Sequence, residues 1–259
     1  MAIATAQWTA IVLAGQRPGI DPLATHFNQT WKAQVPVAGQ AMLGRVLETL
    51  AAVPEIGAVV VLAQDPAVLD GIARERVGFL TSGAGISSSI KAVAGTVDAP
   101  WPVLVTTADH PLLTPPMVSA FLARAGGCDL AVGMVERATL EAAYPGNQRT
   151  WLQFRDGAWS GANLFALRSD AVHPALTLWS RAEQDRKTAW RLFLHFGPWL
   201  CLRALTRTIG LADGLARAGR RFGLDARLVA LPFAEAAIDI DRPADHALAE
   251  AILVARARA

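Results

Sequence analysis

Three acidic positions and one lysine are the residues whose types and placement suit chemistry. Asp109 follows the apolar run Val103-Leu104-Val105-Thr106 in the sequence Thr106-Thr107-Ala108-Asp109-His110-Pro111. A carboxylate just past the end of a buried strand is well placed to hold Mg²⁺ bridging phosphates, because Mg²⁺ prefers one or two carboxylates plus phosphate oxygens. Asp239-Ile240-Asp241 supplies a second carboxylate late in the chain, with both aspartates on one face if the segment is extended. Lys32 and Arg17 can neutralise phosphate charge, the lysine as a point charge and the arginine with a planar fork. Each has a plain reading too. Asp109 would be a turn aspartate capping the region of Pro115, and Asp239 and Asp241 solvent-facing residues at a strand end.

These groups need elements to bring them together. The run Thr9-Ala10-Ile11-Val12-Leu13-Ala14 breaks into Gly15-Gln16-Arg17-Pro18-Gly19. An uninterrupted apolar strand is buried on both faces, as in a parallel sheet, and ligands of such sheets gather at the carboxyl ends of the strands. Glycine lets the backbone approach an anion closely there, although an ordinary Gly/Pro turn has the same residues. Further strands are predicted near Ala58–Ala63, Val77–Leu80, Val103–Thr106 and Leu130–Val135, alternating with helices over Met42–Ala52, Ala67–Arg74, Ser87–Thr96 and Pro116–Ala125. Such alternation predicts a parallel sheet with crossover helices on both faces. Thr114 before Pro115-Pro116 reads as a side-chain cap.

The second half reads differently. Thr150–Phe154 and Ala162–Leu167 are short extended pieces, and Asp156-Gly157 between extended segments suggests a hairpin. Asp170–Gly219 is largely helical and rich in Trp and Arg, Leu228–Leu231 and Ala236–Ile240 read as returning strands, and Asp245–Ala257 as a closing helix. No repeat or low-complexity linker divides the 259 residues, so one domain is expected, with a helical insertion over roughly residues 170–220.

Gly83-Ala84-Gly85-Ile86-Ser87-Ser88-Ser89-Ile90 is a small-residue turn feeding a helix. Serine hydroxyls and free amides at a helix start can receive a base edge, a ribose or a phosphate, and ordinary capping explains the same residues. Other chemistries lack their motifs. There is no Gly-x-Gly-x-x-Gly after the first strand, no Gly-Lys-Ser/Thr, and Ser160-Gly161 is not a nucleophile elbow. The five histidines are scattered, and only His110 adjoins a candidate site residue.

Composition bounds the partners. Hydrophobic residues make up 53% of the chain and mean hydropathy is +0.31, yet Arg191, His195 and Arg203 interrupt the most apolar stretch, Trp190–Leu205, which argues against a spanning helix. The start of the chain lacks the basic residues of a secretory signal. Cys128 and Cys201, with no metal-ligand spacing, read as buried free thiols in a reducing cytoplasm. A net charge of +2 without a basic, aromatic-interleaved stripe disfavours nucleic acid and leaves anionic small molecules open.

Taken in order, the segments Leu13-Ala14-Gly15-Gln16-Arg17, Lys32 to Leu43, Val105-Thr106-Thr107-Ala108-Asp109 and Asp239 to Asp245 resemble the nucleoside-triphosphate transferase superfamily, with its GT-A-like three-layer α/β sandwich. Its members include molybdenum-cofactor guanylyl- and cytidylyltransferases and sugar-phosphate nucleotidylyltransferases. The resemblance implies that Leu13, Ala14, Gly15, Gln16 and Arg17 wrap a triphosphate and that Arg17 and Lys32 stabilise its charge. It further implies that Gly85, Ser87, Ser88, Ser89 and Thr107 contact the nucleotide and that Asp109 and Asp239 hold Mg²⁺. The turn Ser160-Gly161-Ala162-Asn163 matches a position near the acceptor, which Gly161 and Asn163 would contact, and Lys187 would add a phosphate contact unless it is an ordinary solvated helix residue.

Two departures stand out. The loop is poorer in glycine than the family's Leu-Ala-Gly-Gly-x-Gly-x-Arg, and Asp170–Gly219 is larger than in the compact members. Trp179, Trp190, Phe193, Phe196 and Trp199 there could build a core-forming lid, an acceptor pocket, a homodimer surface or a peripheral membrane contact. The expected activity is transfer of a nucleoside monophosphate from an NTP, CTP before GTP, to a phosphorylated small molecule with release of pyrophosphate. A glycosyltransferase using a nucleotide sugar and a non-catalytic nucleotide-binding protein are the alternatives, the former set against Thr107 standing where an Asp-x-Asp pair would need its first aspartate.

Overall fold

A computed structural model of the protein describes residues 7–16, 19–72, 75–184 and 197–258. In chain order its strands are β1 (Trp8–Leu13), β2 (Pro36–Val37), β3 (Gln40–Ala41), β4 (Ile56–Ala63), β5 (Val77–Thr81), β6 (Val103–Thr107), β7 (Leu130–Glu136), β8 (Leu152–Phe154), β9 (Gly157–Leu167) and β10 (Ala226–Ala230). The α-helices are α1 (Pro22–His26), α2 (Met42–Ala51), α3 (Ile86–Val93), α4 (Pro115–Ala125), α5 (Arg137–Ala143), α6 (His173–Gln184), α7 (Pro198–Leu205), α8 (Leu211–Arg220) and α9 (Pro243–Arg258).

The main sheet runs β10-β7-β9-β6-β1-β4-β5, with β8 paired to β9, while β2 and β3 form a separate small ladder. β1 lies parallel between β4 and β6, β5 extends the sheet beyond β4, and β10 pairs in parallel with β7. β9 alone runs against its neighbours β6 and β7. The result is a single α/β, Rossmann-like arrangement of mostly parallel strands with flanking helices. The register explains why β1 is apolar from Ala10 to Leu13. Ala10 and Val12 point into the core beneath α2 and α4, Ile11 into the core on the other face, and all three are fully buried. Burying Ile11 alone contributes about 2–3 kcal/mol.

Leu13 pairs with both Leu62 and Thr107, so the chain leaves β1, β4 and β6 at one level. Ala108 N–H then donates to Leu13 O at 2.9 Å and Ala14 N–H to Leu62 O at 2.9 Å, which holds the β1 and β6 loops side by side. Because β9 is antiparallel, its first half also lies at this carboxyl edge.

Several local expectations change. Ala236–Ile240 is not a strand: Ala234–Ala237 forms a 3-10 turn, and the extended residues after it cross the end of the sheet. The small alanines pack into the core, and the segment bonds to the β6 loop through Ile240 N–H and Asp109 O at 2.9 Å. The alternation read from the sequence nevertheless holds, since Ile238 and Ile240 are buried while Asp239 and Asp241 are not. The described part of Ala67–Arg74 is a 3-10 helix over Pro66–Ile72. Thr114 makes no side-chain cap; its carbonyl accepts from Met117 and Val118 instead. Ser160–Asn163 is not a turn but lies within β9, at a bulge where one residue of β7 faces three of β9. The Asp156-Gly157 hairpin is present, joining β8 to β9.

Among the described residues no helix is long and apolar enough to cross a membrane. Cys128 is a buried free thiol, whereas Cys201, expected to be buried, is half-buried.

Candidate functional site

The β1 loop is held from two sides by glutamines. Gln16 Oε1 accepts from Lys32 N–H at 3.0 Å and its Nε2 donates to Thr30 O at 3.2 Å. Gln64, just past β4, accepts from Gln16 N–H at 3.1 Å and donates to Gln16 O at 2.7 Å. A Cβ on Gly15 would lie 3.0 Å from the Gln64 amide, so glycine here lets that amide close on the loop. Arg17 lies outside the described residues.

Lys32 opens a short 3-10 helix, and its ammonium reaches across the strand ends to Asp109 Oδ2 at 2.7 Å and to Asp241 Oδ1. Burial disfavours the charged lysine, but Asp109 and Asp241 outweigh it and hold the pKa well above the usual lysine value. Burial likewise pushes the Asp109 carboxyl up, and the Lys32 charge and hydrogen bond, with the Thr107 hydroxyl, bring it below the usual range. Asp239 goes the other way: burial and the neighbouring negative charge of Asp109 raise its pKa against the opposing pull of Arg149.

Arg149 belongs to this cluster and was not singled out from the sequence. Its Nη1 pairs with Asp239 Oδ1, its Nη2 donates to Asp239 O at 2.9 Å and lies 3.6 Å from Asp245 Oδ1, and its Nε donates to Asn147 Oδ1 at 3.2 Å. Asn163 donates to the other carboxylate oxygen of Asp239 at 3.2 Å. Its backbone sits at φ 50°, a left-handed conformation that asparagine tolerates, at the β9 bulge. Gly161, two residues before it, is exposed and has open space above its Cα. Asp245 completes the arrangement by accepting from Asp241 N–H and Arg242 N–H, capping α9.

Among the described residues the cluster sets four carboxylates, Asp109, Asp239, Asp241 and Asp245, against two cations, Lys32 and Arg149. Asp109 Oδ1 is buried with no hydrogen-bond partner of good geometry among them. Excess negative charge, hard oxygen donors and an orphaned carboxylate oxygen together fit a divalent cation. Among the described residues no group of three or more His, Cys, Asp or Glu stands close enough together to hold a metal ion by itself.

Behind the carboxylates, His110 is fully enclosed, with Nε2 3.3 Å from Glu235 O. Burial pushes its pKa down to about 4. Tyr144 donates to Glu235 Oε1 at 2.7 Å, and burial followed by that carboxylate pushes the phenol up to about 12.

The Gly85–Ser89 segment starts α3 as expected, at the same edge of the sheet, yet its hydroxyls are engaged within the protein. Ser88 Oγ accepts from Gly85 N–H and donates to Gly85 O, and Ser89 Oγ accepts from Gly83 N–H and donates to Gly85 O. Ser87, fully buried, gives both its N–H (3.1 Å) and its hydroxyl (2.8 Å) to Glu183 Oε2 of α6. Gly85 has ordinary φ, but a Cβ there would come within 2.9 Å of that carboxylate oxygen. Lys187 lies outside the described residues.

A lysine-bridged carboxylate cluster beside a glycine loop at the ends of parallel strands marks an α/β, Rossmann-like protein with a charged site at the carboxyl edge of its sheet. The sequence profile of the MobA-like NTP transferase domain matches residues 10–191, and the chain belongs to that family. It is therefore a nucleotidyltransferase by family. A hypothetical transferase from Thermus thermophilus is similar at 31% identity, over 93% of this chain and 99% of that one, with a TM-score of 0.78. The fold is shared more distantly with CMP:2-keto-3-deoxy-manno-octonic acid synthetase in complex with CTP (15% identity, 96% and 100% coverage, TM-score 0.59). It is shared also with 4-diphosphocytidyl-2C-methyl-D-erythritol synthase from Anaerococcus prevotii (11% identity, 96% and 97% coverage, TM-score 0.57). A comparison with curated protein sequences gives no match.

Proposed function

We propose that the protein transfers a nucleoside monophosphate from an NTP to a phosphorylated small-molecule acceptor. An acceptor phosphate oxygen attacks the α-phosphorus in line, the bond from that phosphorus to the bridging oxygen of the β-phosphate breaks, and pyrophosphate leaves. The observation that carries the reading is the gathering of Lys32, Asp109, Asp239 and Asp241 beneath the Gly15-Gln16 loop. Asp109 and Asp239 would hold Mg²⁺, which, when bound, supplies charge stabilisation on the phosphates. The glycine loop at Gly15 and the Lys32 ammonium position the triphosphate, and catalysis rests on positioning and charge stabilisation without a protein nucleophile. Arg17 and Lys187 keep their proposed phosphate roles on sequence grounds.

Gly85–Ser89 and Thr107 face the nucleotide in this reading. The serine hydroxyls and the Gly83 and Gly85 N–H groups bond to one another and shape the turn beside the base, and the segment's sequence favours CTP, then GTP. The acceptor enters along β9, past Gly161, with Asn163 positioning Asp239. The two widely separated cysteines support a reducing cytoplasm as the compartment, and the mild net charge supports nucleoside triphosphate and a phosphorylated acceptor, not nucleic acid, as partners.

The test is Mg²⁺-dependent thermal stabilisation with each NTP, followed by pyrophosphate release in an acceptor screen. Ligand at 100 times its dissociation constant stabilises by about 2.7 kcal/mol. A shift with one base, lost in Asp109→Asn, supports the reading. A shift with nucleotide sugars alone favours glycosyl transfer, and binding without pyrophosphate release under any acceptor favours a non-catalytic binder.

A further inference from the structure

Helix α7 carries an apolar stripe that stands exposed among the described residues. Trp199 is 68% exposed, Leu202 48% and Leu205 82%. At 3.6 residues per turn these positions fall within about 120° of one face. Three of the eight exposed large hydrophobic side chains among the described residues thus share one eight-residue helix, whereas Trp179 on α6 packs inward on Phe165 at 5.8 Å.

The chain around that stripe is basic. Leaving aside Arg221, which is engaged within the protein, the segment 198–221, which spans α7 and α8, holds Arg203, Arg207, Arg217 and Arg220 against one acid, Asp213. Asp213 lies 3.7 Å from Arg155 on the β8–β9 hairpin, so its charge already has a partner. Arg203 flanks the stripe and donates to Thr208 O, and Arg207 is exposed just past the end of α7. A second copy packed across a two-fold axis would set this basic surface against itself. An anionic bilayer is complementary to both features: the tryptophan and leucines enter the interfacial layer, and the arginines meet lipid phosphates.

We infer that α7, with its basic flank, is a peripheral docking surface for anionic membranes. The contact is reversible and salt-sensitive, since a few interfacial side chains and surface charges give no permanent anchor.

The experiment is co-sedimentation of the full chain with phosphatidylcholine vesicles, with and without about a third of phosphatidylglycerol, at low and high salt. The protein is expected to pellet with the anionic vesicles only, and to be released by salt. The double substitution Trp199→Ala, Leu205→Ala and, separately, Arg207→Glu should each lower the partition coefficient at least tenfold. Unchanged circular dichroism and NTP-induced thermal shift would show those variants folded. Protein that stays in the supernatant with both vesicle types overturns the inference, as does pelleting that the variants do not reduce. A concentration-dependent dimer in sedimentation velocity, abolished by the same double substitution, would also overturn it by showing that a second copy covers α7. None of these outcomes depends on turnover, so failure here leaves the nucleotidyltransferase reading standing.

Discussion

The carboxyl edge of the sheet and the helices α6 to α8 are built on opposite terms. At the edge, β1, β4 and β6 end in register, their loops are tied together by backbone and glutamine hydrogen bonds, and Lys32 and Arg149 pair with the carboxylates around them. Beneath α6, by contrast, lies an apolar cavity of about 150 Å³, lined by residues such as Val105, Val132, Phe165 and Trp179. α6 meets the edge through the Glu183 contact to Ser87, and α7 turns large apolar side chains to solvent. The difference teaches where the candidate site is anchored: the charged cluster sits on paired strands, whereas α7 presents apolar side chains to solvent.

The largest test of that contrast is on the edge. Lys32→Ala and Asp109→Asn should each lower the rate of pyrophosphate release about 100- to 1000-fold, the usual effect of removing one preorganised electrostatic contact. Equal rates in variant and parent would place the chemistry elsewhere. Arg149→Met leaves Asp239 half-buried without its counter-charge and should cost about 3 kcal/mol in denaturant unfolding. The double variant Arg149→Met, Asp239→Asn should recover most of that loss, because the unpaired charge is gone.

His110 gives the edge a pH dependence. Its pKa of about 4 in the folded state, against 6.5 when unfolded, means that the unfolded chain binds the extra proton. Stability from this group is therefore complete above pH 6.5 and falls by about 3 kcal/mol as pH drops to about 4. His110→Gln should flatten unfolding free energy across that window relative to the parent.

Smaller effects probe the helices. Gly85→Ala would press a methyl against Glu183 and should cost about 1 kcal/mol, an effect that Glu183→Ala should relieve. Trp199→Ala should change stability by less than about 0.5 kcal/mol despite removing a tryptophan, as expected of an exposed side chain. A loss of several kcal/mol there would mean that α7 is packed after all and would erase the contrast between the two regions.

The sequence by itself determined the strands of the first half, most plainly β1, β4 and β6, whose runs of Ile, Val and Leu are buried in the middle of the sheet, while β5 at the edge is only half-buried. It also placed Asp109 past a strand end, and it marked Asp239 and Asp241 as one face of an extended piece. Arg149 was not legible, since an arginine in the turn-rich stretch Tyr144–Thr150 has no periodicity to assign it, and only the approach of the β8 loop to Asp239 gives it a role. Glu183 was hidden for the same reason, lying 96 residues from Ser87. The segment Ala236–Ile240 misled because its alternation mimics a strand, while strand pairing is decided by neighbours that sequence periodicity does not specify. Likewise the serines after Gly85 declared a helix start but not where their hydroxyls would go. Local patterning is a property of adjacent residues and can be read along the chain. Which charges meet, and which apolar faces find no partner, depends on how distant segments cross, and only the tertiary structure decides that.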